Sequence, residues 1–439
     1  MIGTSRTIPD GLIAGDLVYR TPPDARFVGG DGVRLYDDTG REYLDAEAAN
    51  GAAAFGYDRT LLAEAALRAA ELPAVPSFCE SELRLRVTRR LAALFDSVVG
   101  VPGRVACDLG GAQGIEMALR VVAANRGSGP ILAFQGGYHG RSPFTAHLSA
   151  SARYRAVQPW PGPEVVRLPY PDCGTCSFRP AGGGCNPACS AAVQRLGADD
   201  LFGLPGAAAE RGVAALILEP MLNVGGCVLP DSGHVRRVVE HVRSLGGLIV
   251  VDEIFTGMHR LGPRWGFELH GIEPDIVVAS KALTNGITPL SCVWAREPLA
   301  DPAVVPPGSH SSTFAGNQFS LAVAETVLDR FDGLRQPAAV VEALGARLAA
   351  ELEPLRERAA VADVVVAGAV ARVELTGPHA ARVRALAAGP GRPRGLLLAS
   401  TGMAPATVIL HPPLTTTAEE VRSMAGLLAD ALNELERER

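Results

Sequence analysis

Short, uninterrupted apolar runs recur along the middle of the chain, at 131–134 (ILAF), 213–218 (VAALIL), 247–251 (GLIVV) and 275–279 (DIVVA). Runs of this length without polar alternation predict strands buried on both faces. Longer segments with apolar residues at helical spacing lie between or after them, at 113–125, 232–245 and 317–333. Strand and helix in alternation predict an α/β fold, a mostly parallel central sheet flanked by helices, whose ligands collect at the carboxyl ends of the strands. The final part of the chain reads differently: a helix, short strands at 363–375 and a terminal helix at 416–437 predict a smaller α+β lobe. The expected division is 1–75 as an N-terminal segment of the small domain, 76–316 as the large domain with a Cys-rich insertion at 171–190, and 317–439 as the C-terminal small domain.

Composition narrows the field. With 439 residues, 47% hydrophobic and 20% charged, the chain reads as an ordinary soluble globular protein long enough for a large core. A net charge of -6 offers no basic surface for nucleic acid. The amino terminus, MIGTSRTIPDGLIAG, lacks the charged-then-apolar pattern of a signal peptide, and no apolar run reaches membrane-spanning length. A cytoplasmic location and no membrane partner are expected.

The charge count holds one anomaly. Of 41 basic residues, 40 are arginine and one is lysine, Lys281, in the segment PDIVVASKALTNG. As solvated surface charges the two residue types are nearly equivalent, but a guanidinium stays protonated and cannot form an imine. A lone lysine is therefore either a codon that escaped a strong compositional bias or a Schiff-base nucleophile. Asp252 follows the strand GLIVV directly and Lys281 follows DIVVAS, so both side chains should face one crevice. A buried Asp at a strand end can simply cap a loop. Opposite an imine-forming lysine, however, it is what pyridoxal phosphate chemistry requires, because the carboxylate keeps the pyridine nitrogen protonated.

The stretches EPMLNVGGCVLP (219–230), VVDEIFTGMHRLG (250–262) and PDIVVASKALTNGITP (274–289) resemble, in order and spacing, the signature of the class III aminotransferases, the ornithine, 4-aminobutyrate and omega-amino acid type. The 29-residue step from Asp252 to Lys281 fits as well, and the resemblance runs from about Val33 to the HPPLT at 411–415. It implies the fold-type I architecture of pyridoxal phosphate enzymes and transfer of an amino group between an amine or amino acid and a keto or aldehyde acceptor, with specialised metabolism as the expected setting. By the same resemblance Lys281 carries the cofactor and moves the proton, and Asp252 holds the ring nitrogen. The amides of Gly111, Ala112 and Gln113, in DLGGAQG, open a helix after the strand at 104–108 and would bind the phosphate. Tyr138 would stack on the ring with His139 beside it, and Phe255 would lie near the cofactor hydroxyl. Thr313, in HSSTFAGNQ, matches the residue that reaches the phosphate of the neighbouring subunit's cofactor, which implies a homodimer with shared active sites.

Departures from the family pattern bear on the substrate. Members that use glutamate or 2-oxoglutarate carry an Arg just before the PPL element, and here Ile409 stands at that position. Glu219, which pairs with that Arg in those enzymes, is then either free to receive a cationic part of a substrate or paired with an Arg that the sequence does not place. Phe255 replaces a Gln, as in the glutamate-1-semialdehyde aminomutase and β-amino acid branches, and Gln113 and Gln318 replace the usual Glu and Pro. The segment IPDGLIAGDLVYR has a loose likeness to the aminomutase branch, in which Arg20 would take a substrate carboxylate; a plain surface Arg is the other reading. An aminomutase or an amino acid racemase of the same family is accordingly the alternative to a transaminase.

Four of the eight cysteines, Cys173, Cys176, Cys185 and Cys189, are spaced C-x2-C-x8-C-x3-C in a Gly/Pro-rich stretch. In a reducing compartment such clustering suggests a structural zinc or an iron-sulfur cluster, with free thiols in an insertion as the plain alternative. Cys79, Cys107, Cys227 and Cys292 lie in or beside apolar runs and read as buried small residues.

Overall fold

The computed structural model describes residues 25–156, 161–172, 212–389 and 392–438. Three short antiparallel strands come first, β1 (Phe27–Asp31), β2 (Arg34–Asp37) and β3 (Glu42–Asp45). The central sheet follows, built from β4 (Gly103–Asp108), β5 (Ile131–Phe134), β6 (Val165–Leu168), β7 (Ala215–Leu218), β8 (Leu248–Asp252), β9 (Ile276–Ala279) and β10 (Ser291–Arg296). Its spatial order is β4-β10-β9-β8-β7-β5-β6. Strands β5 to β9 pair in parallel, and β10 runs antiparallel to both its neighbours.

The apolar runs are unbroken because helices cover both faces of this sheet. Along β5, Ile131 and Ala133 point to one side, where they meet Ile115, Ala118 and Val122 of the helix Gly111–Arg126. Leu132 and Phe134 point to the other, into the cluster that holds Val235, Val238 and Val242 of the helix Ser232–Ser244. The period-two alternation of a strand thus sorts a continuous hydrophobic run into two cores. The second helix begins where Asp231 accepts a hydrogen bond from the His234 N–H at 2.6 Å, satisfying one of the amides that every helix start leaves free.

The remaining strands are β11 (Val361–Ala367), β12 (Val370–Leu375), β13 (Arg394–Leu397), β14 (Ala399–Thr401) and β15 (Ala404–Leu410). Four of them form an antiparallel sheet ordered β11-β12-β15-β14. The fifth, β13, pairs in parallel with β3, so that the beginning and the end of the described chain share one sheet. The closing helix, Ala418–Arg437, starts with a capping box between Thr417 and Glu420 and buries Val421, Met424, Leu428 and Leu432. Among the described residues, no helix is long and apolar enough to cross a membrane.

Candidate active site

The parallel strands deliver their carboxyl ends to one edge of the sheet. Asp252 is the last residue of β8, Glu219 follows β7, Lys281 comes two residues after β9, and the loop after β5 carries Tyr138 and His139. Lys281 adopts a positive φ of 45°, a conformation that costs an L residue about 1 kcal/mol and so has to be held by its surroundings. Beside it, the Ser280 hydroxyl donates to the Leu290 carbonyl at 2.6 Å. The Lys281 amine lies 5.1 Å from the centre of the Phe255 ring. Burial pushes its pKa down, against the pull of Asp252, Glu219 and Cys227, while the Arg260 guanidinium adds to the depression.

Asp252 is engaged on both oxygens: His139 Nδ1 is 2.8 Å from Oδ2, and the Ile254 N–H donates to Oδ1 at 3.1 Å. Glu219 binds both neighbouring loops, accepting from the Tyr138 N–H at 2.8 Å and the Asn223 N–H at 3.1 Å. Burial raises its pKa to about 7, with the nearby Asp252 adding to the rise and His139 and the two amides opposing it. Tyr138 packs edge-on to Tyr154 with ring centres 5.6 Å apart, and the Arg141 guanidinium lies over both rings.

The start of the helix Gly111–Arg126 closes the other side. Gly110 is extended (φ −139°, ψ 174°) and supplies no side-chain cap, so the amides of Gly111, Ala112 and Gln113 open the helix without a side-chain acceptor at the cap. Two glycines let this start approach the rest of the site. A Cβ on Gly111 would fall 2.8 Å from Ile254 Cδ1, and one on Gly140, whose φ is 113°, would fall 2.8 Å from the Ala112 Cβ. The helix start, the loop after β8 and the loop bearing Tyr138 and His139 are thereby in contact.

Of the residues singled out in the sequence, Gly111, Ala112, Tyr138, His139, Glu219, Asp252, Phe255 and Lys281 converge on this edge. The exposed Gln113 sits on the same helix start, its Oε1 3.0 Å from where a Cβ on Gly110 would lie. Thr313 is exposed, on a loop tied back to the end of β4 by His310 and Ser312, which contact Asp108 at 2.5 and 3.3 Å. Ile409 is buried with Met221, Cys227 and Phe255. Arg20, Cys173, Cys176, Cys185 and Cys189 lie outside the described residues. Among the described residues, no group of three or more His, Cys, Asp or Glu side chains could hold a metal ion.

A family model for class III aminotransferases matches residues 20–432. The chain belongs to the class III aminotransferases. A 2-aminoadipate transaminase of Pseudomonas putida is 32% identical over 337 residues, 74% of this chain and 76% of that protein. An acetylornithine aminotransferase of Streptomyces clavuligerus is 30% identical over 426 residues, covering 95% and 94% of the two chains. Among solved structures, an (S)-enantioselective omega-transaminase from Thermomicrobium roseum superposes with a TM-score of 0.81 at 27% identity, over 94% of this chain and 92% of that one.

Two features of this aminotransferase were not visible in its sequence. Arg260 is 2% exposed and donates to three carbonyls, those of Pro412 at 2.7 Å, Gly51 at 3.1 Å and His411 at 3.4 Å. Burial lowers its pKa to about 10. His411 is equally buried, its ring 5.4 Å from that of Phe255, and burial with the neighbouring Arg260 and Lys281 charges lowers its pKa to about 3. Arg260 lies in the VVDEIFTGMHRLG stretch, but nothing in that stretch says that its guanidinium folds inward. His411 lies in the HPPLT stretch, and that motif was its only signal.

Proposed function

We propose that this site holds pyridoxal phosphate and that the enzyme transfers an amino group between an amine or amino acid and a keto or aldehyde acceptor. The donor set fits that cofactor: an uncapped helix start for the phosphate, a buried carboxylate for the ring nitrogen, an aromatic residue for the ring face and an amine of lowered pKa for the aldehyde. Bound there, pyridoxal phosphate supplies an aldehyde that condenses with amines and a ring that withdraws electrons from the substrate's bonds.

The protein's own residues would supply the rest. The amides of Gly111, Ala112 and Gln113 bind the phosphate, favoured by the positive end of the helix dipole. Asp252 holds a proton at the ring nitrogen, and His139 with the Ile254 amide fixes the direction of that carboxylate. Tyr138 would stack on the ring, and Phe255 would lie near the cofactor hydroxyl, beside the Lys281 amine. Lys281 would hold the cofactor through its amine, and the same amine would move the proton at the substrate carbon. Its lowered pKa keeps more of the amine in the neutral, basic form that this step needs.

A homodimer with Thr313 at the partner's site is supported by the surface around that residue. Phe78 is 87% exposed and Phe314 64%, and the Ser77 and Ser311 hydroxyls, 3.4 Å apart, bring their two segments together. Exposed aromatics of this kind mark association surfaces. The soluble, cytoplasmic setting read from the sequence belongs to this proposal too.

The single observation that carries the reading is the convergence of Asp252, His139 and the chain's one lysine at the carboxyl-end edge of the central sheet, after β8, β5 and β9. The test is a half-reaction screen, with holoenzyme offered a panel of amines while the visible cofactor band is followed. Loss of the band with release of a keto product, restored by a keto acid, is the expected result. A band that survives while a substrate's stereocentre or amine position changes would move the assignment to a racemase or aminomutase, which the aminotransferase relatives do not favour.

A further inference from the structure

Two cysteines face each other at the edge of the central sheet. In the antiparallel ladder of β4 and β10, Cys107 is directly opposite Cys292. Directly opposed residues project from the same sheet face as near neighbours, and both side chains pack into the core that also holds Phe95 and Trp294. The α-carbons of such a pair lie about 4.5–5.5 Å apart, inside the span of about 4.4–6.8 Å that a disulfide bridges. Both thiols are free.

The two are not equivalent. Cys292 is fully buried, whereas Cys107 lies on the outermost strand and is partly exposed. A cation stands close to Cys107: a Cβ on Gly316 would fall 3.5 Å from the Cys107 Cβ and 3.8 Å from Arg84 Nε, and the Arg84 guanidinium donates to the Gly316 carbonyl at 3.4 Å. Burial pushes the Cys107 thiol up to about 12, against the pull of Arg84 and with help from Asp108. Burial and the neighbouring Cys107 push Cys292 up as well.

The pair sits where two parts of the candidate site begin. Asp108, next after Cys107, contacts His310 and Ser312 of the loop that bears Thr313, and the helix Gly111–Arg126 starts just beyond it. Ser291, next to Cys292, abuts that helix: a Cβ on Gly114 would fall 3.0 Å from the Ser291 Oγ.

We propose that Cys107 and Cys292 are a redox-sensitive dithiol that hydrogen peroxide closes into a cross-strand disulfide, and that the closure loosens the helix start assigned to the cofactor phosphate. The Cys107 thiol loses its proton and its sulfur attacks one peroxide oxygen. The O–O bond breaks, hydroxide leaves and takes up that proton as water, and Cys107 becomes a sulfenic acid. The Cys292 sulfur then attacks the Cys107 sulfur; the S–O bond breaks, and the hydroxyl leaves with the Cys292 proton as a second water. Two thiols lose two electrons and one peroxide becomes two waters. Cys107, partly exposed and beside Arg84, is the residue attacked first, and Cys292 resolves it without having to travel. Raised thiol pKa values leave little thiolate at neutral pH, so the pair ignores a brief exposure and closes under a sustained one. The link to the phosphate rests on the pyridoxal phosphate reading, whereas the disulfide does not.

The test exposes holoenzyme to hydrogen peroxide for increasing times, blocks the remaining thiols by alkylation and digests the protein without reductant. Mass spectrometry should find the Cys107 and Cys292 peptides joined with the loss of two hydrogens, and dithiothreitol should part them. Over the same series the affinity for pyridoxal phosphate, read by equilibrium dialysis, should fall by about tenfold, the scale of one lost hydrogen bond to a charged group, and return on reduction. Cys107→Ala and Cys292→Ala, with melting temperatures that show them folded, should keep their affinity under the same treatment. No joined peptide after an exposure that oxidises the partly exposed Cys79, or a joined peptide with unchanged affinity, would overturn the proposal. An equal loss of affinity in Cys292→Ala would do the same by placing the effect elsewhere. A parent that binds no pyridoxal phosphate before exposure would overturn the cofactor reading and the link to it, and the joined peptide would still be read independently.

Discussion

His139 Nδ1 lies 2.8 Å from Asp252 Oδ2, with both side chains almost fully buried. The two come from strands that β7 separates in the sheet, so the contact forms only when the loop after β5 folds across the strand ends. That loop is itself held: the His139 N–H donates to Ser149 Oγ at 2.9 Å, and the Ser149 hydroxyl donates to the Gly140 carbonyl at 2.8 Å. Asp252→Asn keeps the shape and removes the charge. It should lower the amine half-reaction rate by about 10²–10³-fold, the usual scale for losing a preorganised electrostatic partner. His139→Ala leaves the charge but frees its direction and should cost less, about tenfold. Stopped-flow decay of the cofactor band measures both, and an Asp252→Asn rate within a factor of two of the parent would remove Asp252 from the role given to it.

The scarcity of lysine makes the attachment point directly testable. Borohydride reduces an imine to a stable secondary amine, and Lys281 is the only lysine side chain available to have formed one. Reduction of the holoenzyme should place a pyridoxyl group on the peptide containing Lys281, as read by mass spectrometry. Lys281→Ala should yield no such peptide and should lose about 10²–10⁴-fold or more in the half-reaction, the range of general base catalysis. Label on the amino terminus alone would contradict the assignment.

Gly51 controls where Phe255 sits. Its φ is 76°, and a Cβ there would fall 2.6 Å from Phe255 Cε2 and 3.7 Å from His411 Nδ1. Its carbonyl also accepts from the buried Arg260. Gly51→Ala combines a left-handed backbone with an overpacked contact and should cost about 2–4 kcal/mol of stability. It should also displace the ring from above Lys281, so that the cofactor band shifts in the folded variant. Denaturation and absorbance measure the two effects separately.

Much of this arrangement was legible in the chain. The runs at 131–134, 213–218, 247–251 and 275–279 became β5, β7, β8 and β9 within a residue or two, because strands buried on both faces leave no polar position to blur the signal. Lys281 and Asp252 stood out for the same local reason, a chemically distinct residue at a strand end. Register left no such mark: the pairing of β12 with β15 sets Arg372 across from Ile409, and antiparallel register between strands far apart in sequence leaves no trace in either one. Arg260 was hidden in another way. A guanidinium satisfied by three backbone carbonyls depends on where distant loops pass.

Glu253, next to Asp252, gives the fold a pH dependence of predictable sign. The side chain is 1% exposed. Burial raises its pKa from 4.5 to about 7, against hydrogen bonds from the Thr256 hydroxyl and the Gly266 and Phe267 amides that favour the charged form. Between those values the folded protein retains a proton that the unfolded chain has released, so the folded state binds more protons and stability falls as pH rises. The contribution is fully present below pH 4.5 and is lost as pH climbs through about 7. Glu219 adds a slope of the same sign. His411, held neutral by its lowered pKa, adds one of the opposite sign below pH 6.5. Both remain in Glu253→Gln, so the difference between parent and variant isolates Glu253. An amide in place of the carboxyl cannot titrate, and urea denaturation should show the parent losing about 1–3 kcal/mol more than the variant between pH 4.5 and 7. Parallel curves for the two proteins would mean that Glu253 is already ionised at the lower pH and that the hydrogen bonds around it outweigh burial.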